Sequence, residues 1–263
     1  MDDSVPIEIV NSNNIMFYYR WDGPHYKWRK EGFEAKDWLD HFKTTFHLKE
    51  FGIRFWDYAA VVNIDSLYKQ FGTPTFLSIR KNFGHDINNR ILKVLAPKKN
   101  LYATSSIFEN WHNCNTILIQ TLDELGTYGP DSSFTLDHLL CINARKIVCF
   151  VPGVSLKVLN KFLKLWMSGS NARLEQLYFE LISFSRGSDI VMEGIPYHLV
   201  PKEQNQQRRF KSWDGKVEAC NGEGMDIYRF DGTKATVCII QTQMNVHLYF
   251  YVWHDHCIVN NVV

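Results

Sequence analysis

No stretch of this 263-residue chain approaches the run of about 18 apolar residues that a membrane-crossing helix needs. A surplus of either charge is missing as well. The 29 Lys and Arg nearly cancel the 28 Asp and Glu, so no global basic field advertises nucleic acid or a membrane surface. The opening MDDSVPIEIV is acidic and lacks the basic region of a secretory signal. Six cysteines (114, 141, 149, 220, 238 and 257) show no short paired spacing, which argues against a disulfide framework and for a reducing compartment. The expectation is a soluble intracellular protein, cytoplasmic or nuclear, with neither nucleic acid nor membrane as partner.

Catalytic signatures are equally scarce. Neither phosphate-cradling glycine motif, G-x-x-x-x-G-K-[ST] or G-x-G-x-x-G, occurs, and no serine sits in a G-x-S-x-G elbow. The densest group of ligand-type residues is HDHC at 254–257, with His247 upstream. With no partner pair at finger-like spacing, it reads as the exposed polar end of a strand rather than a metal site. Asp137-His138 reads as a surface turn, and Arg208, Arg209 and Lys211 as a solvated basic run. The sequence therefore predicts no enzyme, no cofactor and no metal.

What is present is pattern, in a chain that is 14% aromatic. NTILIQTL from Asn115, RKIVCFVP from Arg145 and EQLYFELI from Glu175 each alternate like a strand, with Ile117, Ile147 and Leu177 in phase. Between the second and third, Leu156, Leu159, Phe162, Leu163 and Trp166 line one helical face opposite three lysines. Ser155 can cap that helix after a Pro152-Gly153 turn, and Gly169 suits the left-handed position past its end. Trp166, in the last turn, can cover the sheet. A strand and a helix per period of about thirty residues predicts an α/β fold with a leucine-rich-repeat-like curved parallel sheet, helices on one side.

Upstream, 46–55 and 74–81 read as strands, 64–71 and 87–96 as helices, and 15–21 with 26–32 as a hairpin about Asp22-Gly23-Pro24. Downstream, 201–216 reads as a polar linker. Residues 225–240 form a hairpin about Asp231-Gly232, and 245–253 add a third strand to a small antiparallel cap. The segments are then 1–35, 36–200, 201–216 and 217–263. If 117, 147 and 177 face the helices, their neighbours face away. Leu118, Gln120, Val148, Phe150, Tyr178 and Glu180 then form a mixed stripe for an unidentified protein partner, unless the C-terminal hairpin or the N-terminal segment covers it.

FTLDHLLCINARKIVCF followed by LNKFLKLWMSGSNARLEQLYFEL resembles the F-box-associated domain, type 2, of the F-box family expanded in nematodes. Thr135, Leu136, Asp137, Leu139 and Leu140 match one element, and Leu159, Asn160, Phe162, Leu163, Lys164 and Trp166 a second. Gly169, Ser170, Asn171, Arg173 and Leu174 match a third, and DIYRFDGTKAT with YVWH the ending. The resemblance is close over about 130–255, with the core of the domain at about 130–200. It implies the substrate-presenting part of a receptor whose F-box docks on a cullin–RING ubiquitin ligase. No F-box-like opening precedes Ile7, so the link to the ligase is expected to be indirect. The alternative is an orphan scaffold or peptide-binding domain unconnected with ubiquitin.

Overall fold

The computed structural model describes residues 7–11, 14–18, 25–28, 32–33, 35–47, 49–55, 63–108, 116–129, 135–150, 154–182, 187–220 and 222–259. They fall into two compact units, Met1–Leu101 and Tyr102–Val263. No helix among the described residues is long and apolar enough to cross a membrane.

In the first unit β1 (Ile7–Asn11), β2 (Asn14–Tyr18) and β3 (His25–Trp28) form an antiparallel sheet. The pairing of β2 with β3 agrees with the expected hairpin, whose Asp22-Gly23-Pro24 turn lies outside the described residues. Helix α1 (Ala35–Thr45) buries Trp38 and Phe42, whose rings stack at 5.7 Å. Strand β4 (Gly52–Phe55) runs parallel to β5 (Phe76–Ile79). Helix α2 (Ile64–Phe71) starts where the Asn63 side chain accepts the Ser66 N–H, and α3 (His85–Val94) follows β5. Strand β6 (Asn100–Thr104) spans the boundary between the units.

The second unit is organised around one mixed sheet. β7 (Leu122–Tyr128), β8 (Ala144–Phe150) and β9 (Gln176–Ile182) are parallel. Helix α4 (Leu136–Cys141) lies between the first two in sequence, and α5 (Leu156–Met167) between the second and third. Short α6 (Gly187–Val191), β10 (His198–Val200), α7 (Lys202–Gln207), β11 (Arg209–Lys211) and β12 (Val217–Ala219) come next. The chain ends with β13 (Gly224–Tyr228), β14 (Lys234–Gln241) and β15 (Asn245–Val252). Across the sheet the order is β7-β8-β9-β15-β14-β13-β10, antiparallel from β9 onward.

Three expectations need correction. Residues 116–118 are a helical turn, not a strand, and the residue level with Ile147 is Leu125 rather than Ile117. Ile117 and Leu118 are both buried, as consecutive residues of that helical turn. The repeat of about thirty residues therefore joins β8 and β9 only, and no leucine-rich-repeat curvature follows from it. The C-terminal strands are not a cap, because β15 pairs along the edge of β9 and continues the same sheet. The stretch 201–216 is not a loose linker. It forms α7 and the β11–β12 hairpin, with Phe210 fully buried.

The helix-to-strand passage from α5 to β9 behaves as its residues predict. Ser155 accepts the Val158 N–H at the start of α5, after a Pro152-Gly153 stretch that lies outside the described residues. Gly169 has φ 112°, and a Cβ there would meet the Phe230 ring at 2.7 Å. Trp166 is fully buried, edge-on to Phe250 of β15 with centroids 4.9 Å apart, and the Arg229 guanidinium lies 5.6 Å from its ring. One side chain thus binds α5 to the sheet. Trp166→Ala should cost about 3–5 kcal/mol through the cavity it leaves, read as a lowered midpoint in denaturant unfolding. An unchanged midpoint would overturn this packing role.

Candidate functional site

Alternation places Val148 and Phe150 of β8, Tyr178 and Glu180 of β9, and His247, Tyr249 and Tyr251 of β15 on one face of the second unit's sheet. Ile147, Leu177 and Phe250 point to the opposite, helix-covered face, and all three are fully buried. Val148 is level with Tyr178 and Phe150 with Glu180, so four residues of the expected stripe come together. Leu118 does not join them: it is fully buried in the turn before β7, where its carbonyl accepts the Asn143 N–H. Gln120 lies in the bend after that turn, off the sheet.

The face has two halves with different fates. Toward β14, α7 and the β11–β12 hairpin close over it, and Phe210 enters between Tyr251 and Trp253 at centroid distances of 5.2 and 5.7 Å. Cys220, Cys238 and Cys257 complete this covered cluster. Its polar rim is a network, not a solvated run. Arg208 makes two bonds to the Asp226 carboxylate, at 2.7 and 2.9 Å, and a third to Thr236 Oγ1 at 3.1 Å. Trp253 Nε1 donates to the same hydroxyl at 2.8 Å. Of the basic run, Arg209 and Lys211 remain exposed.

The other half is open. Phe150 is 44% exposed and packs edge-on against Tyr178 at 5.4 Å. Tyr178 touches Tyr249 at 4.9 Å and stacks over His247 at 6.2 Å. Its hydroxyl lies 3.2 Å from Glu180 Oε2 and 3.0 Å from His247 Nδ1. A carboxylate only accepts, so the phenol donates to Glu180 and His247 donates to the phenol. Burial, and then the Glu180 charge, push the Tyr178 phenol well above its ordinary range, which keeps the donor protonated. Asn245 holds the second Glu180 oxygen at 2.9 Å. Strand β7 extends the strip, because Gly126 sits level with Val148 and leaves room for the Tyr102 ring. A Cβ at Gly126 would come within 2.3 Å of that ring. The result is a rigid aromatic strip with an acid and an imidazole at one end.

Residues 113–179 match the F-box associated family. No curated protein and no solved structure matches the chain. The F-box associated segment contains Val148, Phe150 and Tyr178, while Glu180, His247 and Tyr249 lie beyond it. Most of its motif residues hold the fold. Thr135 caps α4 and its own N–H is accepted by His138 Nδ1 at 2.8 Å, so His138 is a buried capping residue and not part of a surface turn. Asn171, at φ 49°, donates to the carbonyls of Leu139 and Ile142, and Arg173 to that of Asn143 at 2.8 Å.

Tyr102 and Tyr249 escaped the sequence reading, which places His247 only upstream of the HDHC cluster and not on the strip. The alternation of β15 carried a signal for His247 and Tyr249, because its non-core positions are Tyr and His rather than Lys or Glu. Among the described residues, one further cluster could hold a metal: Glu175, His256 and Cys257.

The closing element over the covered half should respond to acid. Burial alone would raise the Asp226 pKa, but the bonds from Arg208 and Thr236 outweigh it and hold the carboxyl below the usual range. A depressed folded pKa means that the pair's stability is fully present above about pH 4 and is lost as pH falls through the lower folded value. Asp226→Asn should cost about 3 kcal/mol at neutral pH. Unfolding midpoints of variant and wild type should converge on acidification, and a gap that stays constant with pH would refute the role given to this pair.

Proposed function

We propose that the chain is a non-enzymatic protein-interaction module, with the open strip of Tyr102, Val148, Phe150, Tyr178 and Tyr249 as its contact surface. The observation that carries this reading is the divided face: half is sealed by α7 and the β11–β12 hairpin, and half leaves Phe150 exposed with Tyr102, Val148, Tyr178 and Tyr249 partly exposed around it. Exposed aromatic side chains already held by their neighbours lose little freedom on binding, and Tyr ranks among the residues that dominate interfaces. Glu180 and His247 at one end supply polar anchoring. The match to the F-box associated family supports a role in presenting a protein substrate to a cullin–RING ubiquitin ligase.

The buried thiols favour a non-catalytic reading. Burial pushes Cys149 and Cys220 up to about 12 and Cys238 up to about 11, so none offers a thiolate nucleophile near neutral pH. A scaffold that binds peptides without any ubiquitin connection is the second reading, favoured by the strip itself, which carries no information about what the captured protein undergoes.

Phe150→Lys places a charge on the strip level with Glu180, and its stability should stay within about 1.5 kcal/mol of wild type, the lost ring contact with Tyr178 being offset in part by the opposite charge. Cross-linking and affinity capture in parallel should recover a protein set from wild type that this variant loses, with ligase subunits in that set. Identical sets from both proteins would remove the strip as the contact surface. A lost set without ligase subunits would favour the scaffold.

A further inference from the structure

The ligand-type residues that follow β15 gather where β9 begins, apart from the residues of the strip. After β15 the chain makes a single 3-10 turn, Asp255–Cys257, at the end of the sheet where β9 begins. This turn carries His256 and Cys257 back onto Glu175. The backbone of Glu175 is fixed on both sides: its N–H donates to the Arg145 carbonyl at 2.7 Å, and its own carbonyl accepts the Val252 N–H at 2.8 Å. Its side chain is 4% exposed, an unusual position for a carboxylate.

We propose that Glu175, His256 and Cys257 form a binding site for a thiophilic divalent cation of the zinc type, which ties the segment after β15 to the start of β9. A carboxylate oxygen, an imidazole nitrogen and a sulfur lie within 4.8 Å of one another. Bonds of about 2.0–2.3 Å in a tetrahedral zinc site set donors roughly 3.3–3.8 Å apart, so the cluster needs only a small contraction. Mixed N, O and S donors suit zinc rather than calcium or magnesium, which take oxygen alone.

The carboxylate supplies the independent sign of a missing ligand. Glu175 Oε1 meets His256 Nε2 at 2.9 Å and has Arg145 Nε at 3.5 Å, whereas Oε2 is buried and meets no nitrogen or oxygen donor. A buried carboxyl oxygen without such a donor is costly, and a cation would satisfy it. Cys257 is fully buried against the site, while His256 keeps 62% of its side chain in solvent. An ion can therefore enter from the His256 side, and a water can complete four-coordination. His254 stays out of the set, because its Nε2 is occupied by the Leu174 carbonyl at 3.1 Å. Arg145 stands as a competitor for the same carboxylate, and it is drawn the other way by Asp123 at 3.8 Å. Without a metal, His256 Nε2 and Glu175 Oε1 meet directly at 2.9 Å.

Titration of the chelator-treated full chain with Co²⁺ separates the two states. One equivalent should produce thiolate-to-cobalt absorption in the near ultraviolet, abolished by added Zn²⁺, and Zn²⁺ should raise the melting temperature. His256→Ala, at an exposed position, should fold normally and lose at least ~100-fold in affinity, since even outer-shell losses reach 10–100-fold. Cys257→Ser should lose the absorption band. Absence of the band in wild type, or a band that persists in either variant, would assign any binding to other cysteines and overturn the site.

Discussion

Strand β9 is bonded on both edges by different rules, parallel to β8 and antiparallel to β15, and the second unit depends on that double pairing. A parallel neighbour requires a crossover, supplied here by α5, whereas an antiparallel neighbour requires only that a strand return beside it. Because β9 accepts both, the parallel run and the C-terminal hairpin become one sheet rather than a body and a cap. Buried residues on both sides of the junction then share a single core. Trp166 of the crossover helix rests on Phe250 of the returning strand, so the two halves of the sheet are fastened by a contact that neither would have alone.

The turn between α5 and β9 sets the register of that junction. Asn171 takes positive φ, which few side chains other than Asn and Asp tolerate, and spends both amide hydrogens on the last carbonyls of α4. Arg173 does the same for the carbonyl of Asn143 just before β8. The Leu139 and Ile142 carbonyls would otherwise need water, whereas the Asn143 carbonyl also accepts the Leu122 N–H at 3.3 Å. The G-S-N-x-R-L run is thus a clasp between successive strand–helix units. That accounts for its place in the F-box associated segment without any appeal to binding.

Local elements were readable wherever one face is buried and the other wet. The lysine-flanked face of α5, the alternation of β15 and the Asp231-Gly232 hairpin each state their own geometry. What was not readable depends on tertiary choices. Ile117, Leu118 and Ile119 look like a strand by composition, yet two adjacent residues go inward because the turn before β7 is helical. LDELGTY looks poor for a strand, and Gly126 is there because a ring lies over it. Nothing local says which edge β15 will join. The same holds for the site: Val148, Phe150, Tyr178 and Glu180 follow from alternation in two correctly read strands, whereas His247 and Tyr249 reach it only through the pairing with β9.

The covered and open halves of the face show why composition could not separate a core from a contact surface. Tyr251 and Tyr249 lie on one strand, two residues apart, with the same chemistry and nearly parallel rings at 6.3 Å. Tyr251 is sealed beneath Phe210, while Tyr249 leads out to Tyr178. The boundary is drawn by the segment 201–220, whose abundant Lys, Gln and Arg suggest solvent. Its one aromatic anchor and the Arg208–Asp226 pair suffice to hold it down, because a short hairpin needs only a few buried groups to cover part of a flat sheet. The extent of the open strip is therefore a consequence of where that hairpin ends, and the residues that define the surface include several that never touch it.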